Sequence, residues 1–459
     1  MGSLTGSMLL ATNALEVEES ALDATTNNIA NANTPGYTRE VPVFTEATPV
    51  VEGNITYGQG VSLESIQSVR DELLQLRIYS ETSQQSSSQT QLNSLQQVQN
   101  LFSSSTSGIG ADITNFFNSL NSLSTDPSDP SQRQSVLTAA IDLASDFQST
   151  SSELTSIQQN LNLSVSQGVS QVNSLTSQIA QLNAQVASMQ QLNQDPGAIE
   201  DQRDQLIGQL SQLANIQVTQ TEDGVTITTS DGSPLVVGGQ SFNLQTSPDS
   251  NGMQQIYAGT QNITGSFTGG QLGGALNVRD QVLPGLLSSL NSLASGIATN
   301  INAAQAKGFD LNGNAGQALF NASTSGAGAA ANFSVAITDG SLIAASSDGT
   351  AGSNGNIVNL LGVQNQDLAS GETPLDSYSN MVFTAGNTTA QAQSAVNATQ
   401  LTLNQLNDQM GSETGVSIDE ETTNLIGFQH AFEAAARVIT TIDELGQTVL
   451  SMGTPAAIT

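Results

Sequence analysis

Heptad patterns at both ends of the chain constrain its fold more than any other feature of the sequence. The C-terminal pattern consists of Ile418, Leu425, Phe432 and Ile439, seven residues apart, with Phe428, Ala435, Ile442 and Val449 at the companion positions. Such a repeat places its apolar side chains along one side of an α-helix, which forms a coiled-coil seam. Ser417 and Glu420 match an S-x-x-E capping box. We therefore predict one amphipathic helix from Ser417 to Met452.

A matching pattern begins at the N-terminus. Its apolar positions are Met1, Leu4, Met8, Ala11, Leu15, Leu22 and Ile29, and the flanking positions Ala14, Ala21 and Ala24 are small. An isolated helix of this length is marginal in water, whereas burial of each large apolar side chain contributes about 1.5–3 kcal/mol. We therefore expect the N-terminal and C-terminal helices to pair as a coiled coil that brings the two ends of the chain together.

An asparagine-rich segment ends the N-terminal helix. Residues 27–39 read Asn-Asn-Ile-Ala-Asn-Ala-Asn-Thr-Pro-Gly-Tyr-Thr-Arg. Pro35 disfavours helical backbone at Thr34, and Gly36 supplies a turn, so the segment is a helix stop. It resembles the N-N-I/L-A-N-x-x-T-x-G-Y/F signature of bacterial flagellar axial proteins, which are the rod, hook and hook-associated proteins.

Two further segments carry a narrower resemblance. Residues 417–421, with Asn424-Leu425, residues 428–432 and residues 435–439, are similar to the C-terminal block of the hook-associated protein 1 family, the hook–filament junction proteins of FlgK type. Gly308-Phe309-Asp310 and the residues up to Asn314 resemble the G-F/Y-D-x-x-G sequence that follows a long helix in that family. The resemblance is strongest at the two ends of the chain.

Between the ends, apolar periodicity predicts a long-helix core with β-rich insertions. Helices are expected over 69–102, 112–123, 131–191, 199–214, 276–306 and from Ser379 or Thr389 to Met410. Strands are expected at 216–220, 224–228, 235–237 and 333–337, with hairpin-like strands between Arg39 and Ser68. The predicted fold class is mainly α with β-rich insertions.

The same pattern suggests a nested domain organisation. Residues 1–40 and 412–459 would form the terminal coiled-coil domain, which the resemblance places inside, along the axis of a tube. Residues 41–215, 271–310 and 379–411 would form the long-helix core domain. Residues 216–270 and 311–378 would be outer β-rich insertions.

The charge of the chain argues against several classes of partner. With 40 acidic and 8 basic residues, the net charge is −32, so nucleic acid and anionic membranes would be repelled. The chain has no cysteine, which excludes disulfides and thiolate metal sites. No basic segment leads into a continuous apolar segment at the N-terminus, so no cleavable signal peptide is predicted, and no apolar run is long enough to cross a bilayer.

We predict no catalytic site, no metal and no cofactor. His430 is the chain's single histidine and flanks the C-terminal seam. Three acidic clusters, 16–19, 200–204 and 419–421, are expected in first turns or on solvent faces of helices, where the helix dipole favours carboxylates. Asp310-x-Asn312-x-Asn314 imitates the start of an EF-hand loop, but the twelfth position is Asn321 rather than Glu. We interpret that segment as a turn.

The resemblance implies a secreted structural protein of the bacterial flagellum, located outside the cell, that assembles at the distal end of the hook and connects it to the filament. It implies self-association in a helical tube and contacts with the hook protein and the second junction protein. It also implies export, unfolded and uncleaved, through the type III apparatus with a cytoplasmic chaperone.

Two alternatives remain open. Hook and distal-rod proteins share the N-terminal signature, but they are mostly β between their terminal helices, whereas this chain has long helices there. An exported coiled-coil adhesin or enzyme is the alternative of a different class. The absence of cysteine, of paired histidines and of a cleavable signal counts against it.

The residues expected at the assembly interface belong to the two heptad patterns and to the helix stop. They are Leu15, Leu22, Asn28, Ile29, Asn31, Pro35, Gly36, Tyr37, Leu425, Phe428, Phe432, Ile439 and Ile442.

Overall fold

The computed structural model describes residues 2–52, 55–102, 108–192, 194–221, 224–321 and 328–453. The α-helices in these ranges are α1 (Gly2–Asn31), α2 (Glu72–Phe102), α3 (Ile109–Leu123), α4 (Pro130–Gln191), α5 (Gly197–Leu213), α6 (Gly270–Asn277), α7 (Leu283–Gln305), α8 (Ile357–Gly362), α9 (Pro374–Thr414) and α10 (Ile418–Gly453). A π-helical turn, Val278–Val282, joins α6 to α7. None of the described helices is both long and apolar enough to cross a membrane.

The strands are short and antiparallel. They are β1 (Glu40–Glu46), β2 (Val50–Glu52), β3 (Ile55–Tyr57), β4 (Val61–Ser68), β5 (Ile216–Thr221), β6 (Gly224–Thr229), β7 (Pro234–Val237), β8 (Gln240–Ser241), β9 (Leu244–Pro248), β10 (Gln254–Ala258), β11 (Gln261–Asn262), β12 (Phe320–Asn321) and β13 (Ser334–Val335). The larger sheets have the strand orders β5-β6-β7-β8 and β11-β10-β9, and the pairs are β1-β4, β2-β3 and β12-β13. The predicted mixture of long helices and β insertions is confirmed.

Most predicted helices begin and end within three residues of their expected positions, but two do not. The predicted helix 276–306 is part of a longer helical run, from the start of α6 at Gly270 through the π-helical turn to the end of α7 at Gln305. Helix α9 begins at Pro374 rather than at Ser379 or Thr389 and ends at Thr414 rather than at Met410. The Thr373 hydroxyl accepts a hydrogen bond from the Asp376 N–H at 3.3 Å and donates one to the Asp376 carboxylate at 2.7 Å. A threonine N-cap followed by proline at the first helical position is a helix-start signal that the periodicity did not show.

Four aromatic rings join the second insertion to the helical core. Phe147 of α4 lies 4.9 Å from Phe333, which stacks on Phe320 at 4.7 Å, and Phe116 of α3 lies 5.7 Å from Phe320. All four side chains are fully buried. This contact holds the short β12-β13 pair against α3 and α4.

The second insertion contains less strand than the sequence predicted. β13 covers Ser334–Val335 instead of 333–337, and its described pairing with β12 consists of Phe320↔Val335 and Asn321↔Ser334. Further on, Asp339 accepts a hydrogen bond from the Ser341 N–H at 2.8 Å and starts a 3-10 turn. Loops make up most of the remainder. Buried Arg133 of α4 supports them by donating to the carbonyls of Gly340 and Ile343 at 3.2 and 2.8 Å.

Three asparagines along α4 attach the larger sheets to that helix. The Asn173 amide donates to the Leu244 carbonyl and accepts from the Leu244 N–H, both at 2.8 Å. Asn162 makes the same kind of paired contact with the carbonyl of Gly252 and the N–H of Gln254. Asn183 donates to the Val225 carbonyl at 2.7 Å. Each side-chain amide therefore hydrogen-bonds to the backbone of the sheet segment as a neighbouring strand would.

Candidate assembly interface

The predicted pairing of the terminal helices is confirmed, since α1 and α10 pack against each other along their lengths. The pair is antiparallel, because Asn28 near the end of α1 donates to Glu421 in the first turn of α10 at 3.0 Å. β1 and β4 pack beside α1 and pair from Glu40↔Ser68 to Glu46↔Val61, with a β-bulge that shifts the register between Val43 and Phe44.

On α1 the packed side differs from the predicted heptad stripe. The buried residues are Ala11, Val17, Ala21, Ala24, Thr25 and Asn28. Leu15, Leu22 and Ile29 are half-buried, and Met8 is 46% exposed. Small alanines let the helices approach closely: Ala21 and Ala24, which were expected to flank the seam, are buried together with the predicted seam residue Ala11, and the large residues lie beside them.

On α10 the predicted positions lie on the side that faces α1. Leu425, Phe428, Phe432, Ile439 and Ile442 are all half-buried. Ile418 and Val449, at the two ends of the pattern, are exposed. Two helices alone therefore leave much of this apolar surface in contact with water.

Asn28, from the helix-stop signature, is the centre of a buried hydrogen-bond network at the base of the pair. Its amide nitrogen donates to the Glu40 carbonyl at 2.8 Å as well as to Glu421. Its amide oxygen accepts from the Tyr37 hydroxyl at 2.8 Å and from the Glu40 N–H at 2.9 Å. One side chain thus connects α1, the turn after it, β1 and α10.

Arg39 completes this network from the other side of Glu421. Its guanidinium contacts Glu421 at 2.8 Å and Glu420 at 3.0 Å. The predicted capping box is therefore only half formed: the Glu420 N–H reaches the Ser417 hydroxyl at 3.5 Å, while the Glu420 carboxylate binds Arg39. Burial of a carboxylate requires such a partner, and Glu421 is buried.

Burial, together with the surrounding acidic groups, raises the pKa values of Tyr37 and Glu40. The pKa of the Tyr37 hydroxyl is raised by burial and then by the charges of Glu40, Asp201 and Glu421. Burial also raises the pKa of Glu40, although a hydrogen bond from Asn27 opposes the shift. Tyr37 therefore stays protonated and keeps donating to Asn28.

A second cluster fixes the turn to the core. The Thr38 hydroxyl and N–H both donate to Asp201 of α5, at 2.7 and 3.0 Å. Arg70 contacts Asp201 at 2.5 Å, Asp204 at 2.6 Å and Glu200 at 3.4 Å. Burial raises the pKa of Asp204 to about 6, against the opposing effect of Arg70. As predicted, Glu200 and residues 419–421 lie in the first turns of α5 and α10. Glu421, Asp201 and Asp204, however, are buried or half-buried and paired with arginine.

The remaining signature residues shape the turn itself. Asn31 donates to the Asn27 side chain at 2.8 Å and accepts from the Thr34 hydroxyl at 3.1 Å. The Pro35 carbonyl accepts from Gln205 at 3.0 Å. Gly36 has a φ of 79°, and a Cβ there would collide with the Gln205 side chain. The positive φ therefore favours glycine at this turn.

The sequence patterns did not predict that arginines take part in these two clusters, the one around Glu421 and the one around Asp201. Arg39, Arg70 and Arg203 are three of the chain's eight basic residues, and all three pair with acids at this junction. The available signal was that Arg39 ends the signature and Arg70 follows β4, so the paired strands bring them to the same end of the hairpin.

The described residues offer little to metal or acid–base chemistry. They contain no group of three or more Asp, Glu or His side chains that could hold a metal ion. Asp310 binds the N–H groups of Asn312 and Asn314 at 2.8 Å each, as expected for a turn. His430 is exposed on α10.

Family models match three segments of the chain. Residues 95–320 match the helical domain of the flagellar hook-associated protein FlgK. Residues 8–38 match the flagella basal body rod protein family, and residues 409–452 match the C-terminal region of the flagellar basal body rod FlgEFG proteins. The terminal matches contain α1 to the turn and α10, the two parts that the Asn28 network joins.

Whole-chain comparisons agree with these matches. Flagellar hook-associated protein 1 of Bacillus subtilis is 31% identical over 96% of this chain and 97% of its own length. The Escherichia coli protein of the same name is 25% identical over 96% and 98%. The flagellar hook junction protein FlgK of Burkholderia pseudomallei shares the fold, with a TM-score of 0.67 over 73% of this chain, 99% of its own chain and 22% identity. The chain belongs to the flagellar hook-associated protein 1 family and is a structural component of the extracellular bacterial flagellum.

Proposed function

We propose that this protein joins the hook to the filament by self-association of its α1–α10 pairs into a tube. The observation that carries the proposal is the terminal pair itself. A hydrogen-bond network built from the signature residues holds the pair at its base, while Leu15, Leu22, Phe428 and Phe432 remain only half-buried along it. Apolar side chains held in place but left open to water favour further packing.

In this proposal the terminal segments, residues 1–40 and 412–459, lie along the tube axis. The core helices surround them, and the insertions at 216–270 and 311–378 face outward. The neighbours along the axis are the hook protein on one side and the second junction protein on the other. Before assembly, a cytoplasmic chaperone would cover the apolar side of α10 until the type III apparatus exports the chain, by the mode in which a helix binds a groove.

The role is structural rather than catalytic. At the junction beneath the terminal helices, the acidic and basic side chains pair with each other. This arrangement fixes elements in position. The alternative of a hook or distal-rod protein is disfavoured by the 62-residue helix α4 and the helical core around it.

Electron microscopy of purified flagella labelled with an antibody against this chain tests the proposal. We expect the label at one short band between hook and filament, and none in flagella from cells that lack the gene. Label along the whole filament, or on the hook alone, would contradict the junction role.

The variant Phe432→Glu tests the importance of the terminal pair. It places a charge in the packed side of α10, so we expect a folded core but hooks without filaments, with filament subunits released into the medium. His430→Glu adds a negative charge at an exposed position on the side of the same helix away from α1 and should assemble normally. Normal filaments in the Phe432→Glu strain would show that the pair is not the assembling part.

A further inference from the structure

A second heptad stripe runs along α10 beside the seam. Its apolar members are Gly427, Ala431, Ala434, Val438, Leu445 and Met452, which we call the α10 stripe, and Thr441 and Thr448 occupy the remaining heptad positions. Val438, Leu445 and Met452 are 46%, 51% and 81% exposed. The stripe carries no charged side chain although the chain has a net charge of −32. A contact between copies through this stripe avoids the repulsion that most other surfaces would produce.

The α1 stripe, which we define as Leu4, Met8, Leu15 and Leu22, is the corresponding surface on the other helix. Leu15 and Leu22 follow directly after Ala14 and Ala21 on the packed side of α1. On α10 the order is reversed, because Ala431, Val438 and Leu445 come directly before the α1-facing residues Phe432, Ile439 and Gly446. One residue corresponds to a rotation of about 100° around the axis of an α-helix. Each stripe therefore lies roughly a quarter-turn around its helix from the seam. On α1 the stripe is displaced toward higher residue numbers, and on α10 it is displaced toward lower residue numbers.

The antiparallel direction of the pair decides where the two stripes lie. Viewed along the pair, residue number increases clockwise around one helix and anticlockwise around the other. Two stripes displaced from their seams in the same sense along the sequence would therefore lie on the same edge of the pair, whereas stripes displaced in opposite senses lie on opposite edges. The α1 stripe and the α10 stripe therefore occupy opposite edges of one copy. On each edge the other helix is mostly polar, with Asn13, Glu16 and Ser20 of α1 beside the α10 stripe and Gln429, Thr440 and Gln447 of α10 beside the α1 stripe.

We propose that the α10 stripe of one copy packs on the α1 stripe of the next copy, which makes the lateral contact of the assembly head-to-tail. This inference rests on the proposed self-association and specifies its geometry. A surface that pairs with a different surface on the same molecule repeats in one direction, so it forms rings or helical tubes rather than closed two-fold dimers.

The size of the contact predicts that single pairs of copies do not persist. The α10 stripe covers a helix length of about 38 Å and the α1 stripe about 27 Å. With a width of about 10 Å, the shorter stripe limits each contact to on the order of 300 Å² per partner, less than half of the roughly 800 Å² found in stable complexes. A copy inside a tube makes this contact twice, once through each edge. We therefore expect free copies to stay monomeric and assembled copies to hold each other.

Paired cysteines test the geometry directly, since the natural chain has none. Leu4 and Leu445 both lie about 36 Å along the helices from the Asn28–Glu421 contact, at the same level but on opposite edges. Flagella should be isolated from cells that carry Leu445→Cys combined with Leu4→Cys, Met8→Cys or Leu15→Cys, and then oxidised. The three α1 positions cover different axial offsets between neighbours.

We expect at least one combination to give a ladder of dimers, trimers and higher oligomers on a denaturing gel, and Leu445→Cys alone to give monomers. Dimers from Leu445→Cys alone would show that the α10 stripe pairs with itself, which would overturn the proposal. Monomers from all three combinations, in flagella that contain the protein by immunoblot, would overturn it too.

A charge in the α10 stripe gives an independent test. Leu445→Glu should reduce incorporation at least about tenfold, because a charge would enter an apolar contact, whereas Leu445→Met keeps the position apolar and should incorporate normally. Equal incorporation of the two variants would refute the proposed head-to-tail contact, but it would not contradict the proposed role at the hook–filament junction. Failure of the antibody to label the junction in unmodified cells would instead refute the proposed function.

Discussion

At the scale of single residues, the asparagine-rich signature at residues 27–39 does more than end a helix, because it also links distant segments by hydrogen bonds. Asn28 uses both its donor and its acceptor atoms, and its partners belong to segments far apart in the sequence. An asparagine amide has the mixed donors and acceptors that this position needs. Neither aspartate, which would face Glu421, nor leucine could replace it without leaving buried polar groups unpaired.

The variant Asn28→Leu should loosen the base of the terminal pair. Tyr37, Glu421 and the Glu40 backbone would each lose a partner, and a buried polar group left unpaired costs about 1–3 kcal/mol. We expect faster hydrogen exchange in the first turns of α10, measured by mass spectrometry, with the core unchanged. Asn33→Leu, at an exposed position in the same signature, is the matched control. Unchanged exchange in Asn28→Leu would mean that the network does not hold α10.

A pair of carboxyls between α3 and α4 should make stability depend on pH. The pKa of Asp112 is raised to about 6 by burial, by a hydrogen bond with Asp146 and by the charges of Asp146 and Asp142. A carboxyl whose pKa is higher in the folded state than in the unfolded state stabilises the fold when protonated, below about pH 4, and this contribution is lost as the pH rises through about 6.

The variant Asp112→Asn should remove that dependence, since an amide can donate to Asp146 at any pH. We expect a higher melting temperature than wild type at pH 7 and a smaller difference between pH 4.5 and pH 7, measured by calorimetry. Asp367→Asn, at an exposed position away from these helices, should leave the pH profile unchanged. A wild-type profile in Asp112→Asn would contradict the assignment.

At the scale of elements, the long helices were predictable and their attachments were not. Periodicity over many residues identifies α4 and α10, because each turn repeats the same apolar signal. The α1 seam was misplaced by one residue because the pattern ranks leucine above alanine, whereas close packing buries Ala21 and Ala24. Arg133 and the asparagines of α4 contact segments that are tens to hundreds of residues away in the sequence. No local sequence pattern encodes such contacts.

The contact between Asn173 of α4 and Leu244 of β9 should contribute measurably to stability. In Asn173→Leu, the N–H and C=O of Leu244 would both lose their partner, so we expect the free energy of unfolding to fall by about 1–3 kcal/mol. Urea denaturation followed by circular dichroism measures this change. Asn160→Leu changes the same side chain at an exposed position of the same helix and should have little effect. Equal stability of both variants would show that the sheet does not depend on this clamp.

At the scale of the whole molecule, the two ends of the chain form the least buried part of the structure. On α10 the fully buried residue among those described is Glu421, at its base, whereas α2, α4 and α7 each bury many side chains. The sequence indicated this division, because its two heptad patterns stand apart from the core. It could not indicate that one salt-bridged junction, centred on Arg39 and Arg70, connects the two parts.

Trypsin should expose the difference between these parts, since the chain offers only eight cleavage residues. Arg437 of α10 and Arg77 of α2 are both exposed on helices, but cleavage requires local unfolding, which costs less where few side chains are buried. We therefore expect limited digestion of the monomer to cut after Arg437 long before Arg77, as followed by mass spectrometry. In isolated flagella both sites should be protected, because neighbouring copies cover α10. Equal resistance of Arg437 and Arg77 in the monomer would mean that the terminal pair is already stable, and assembly would then have no part in ordering it.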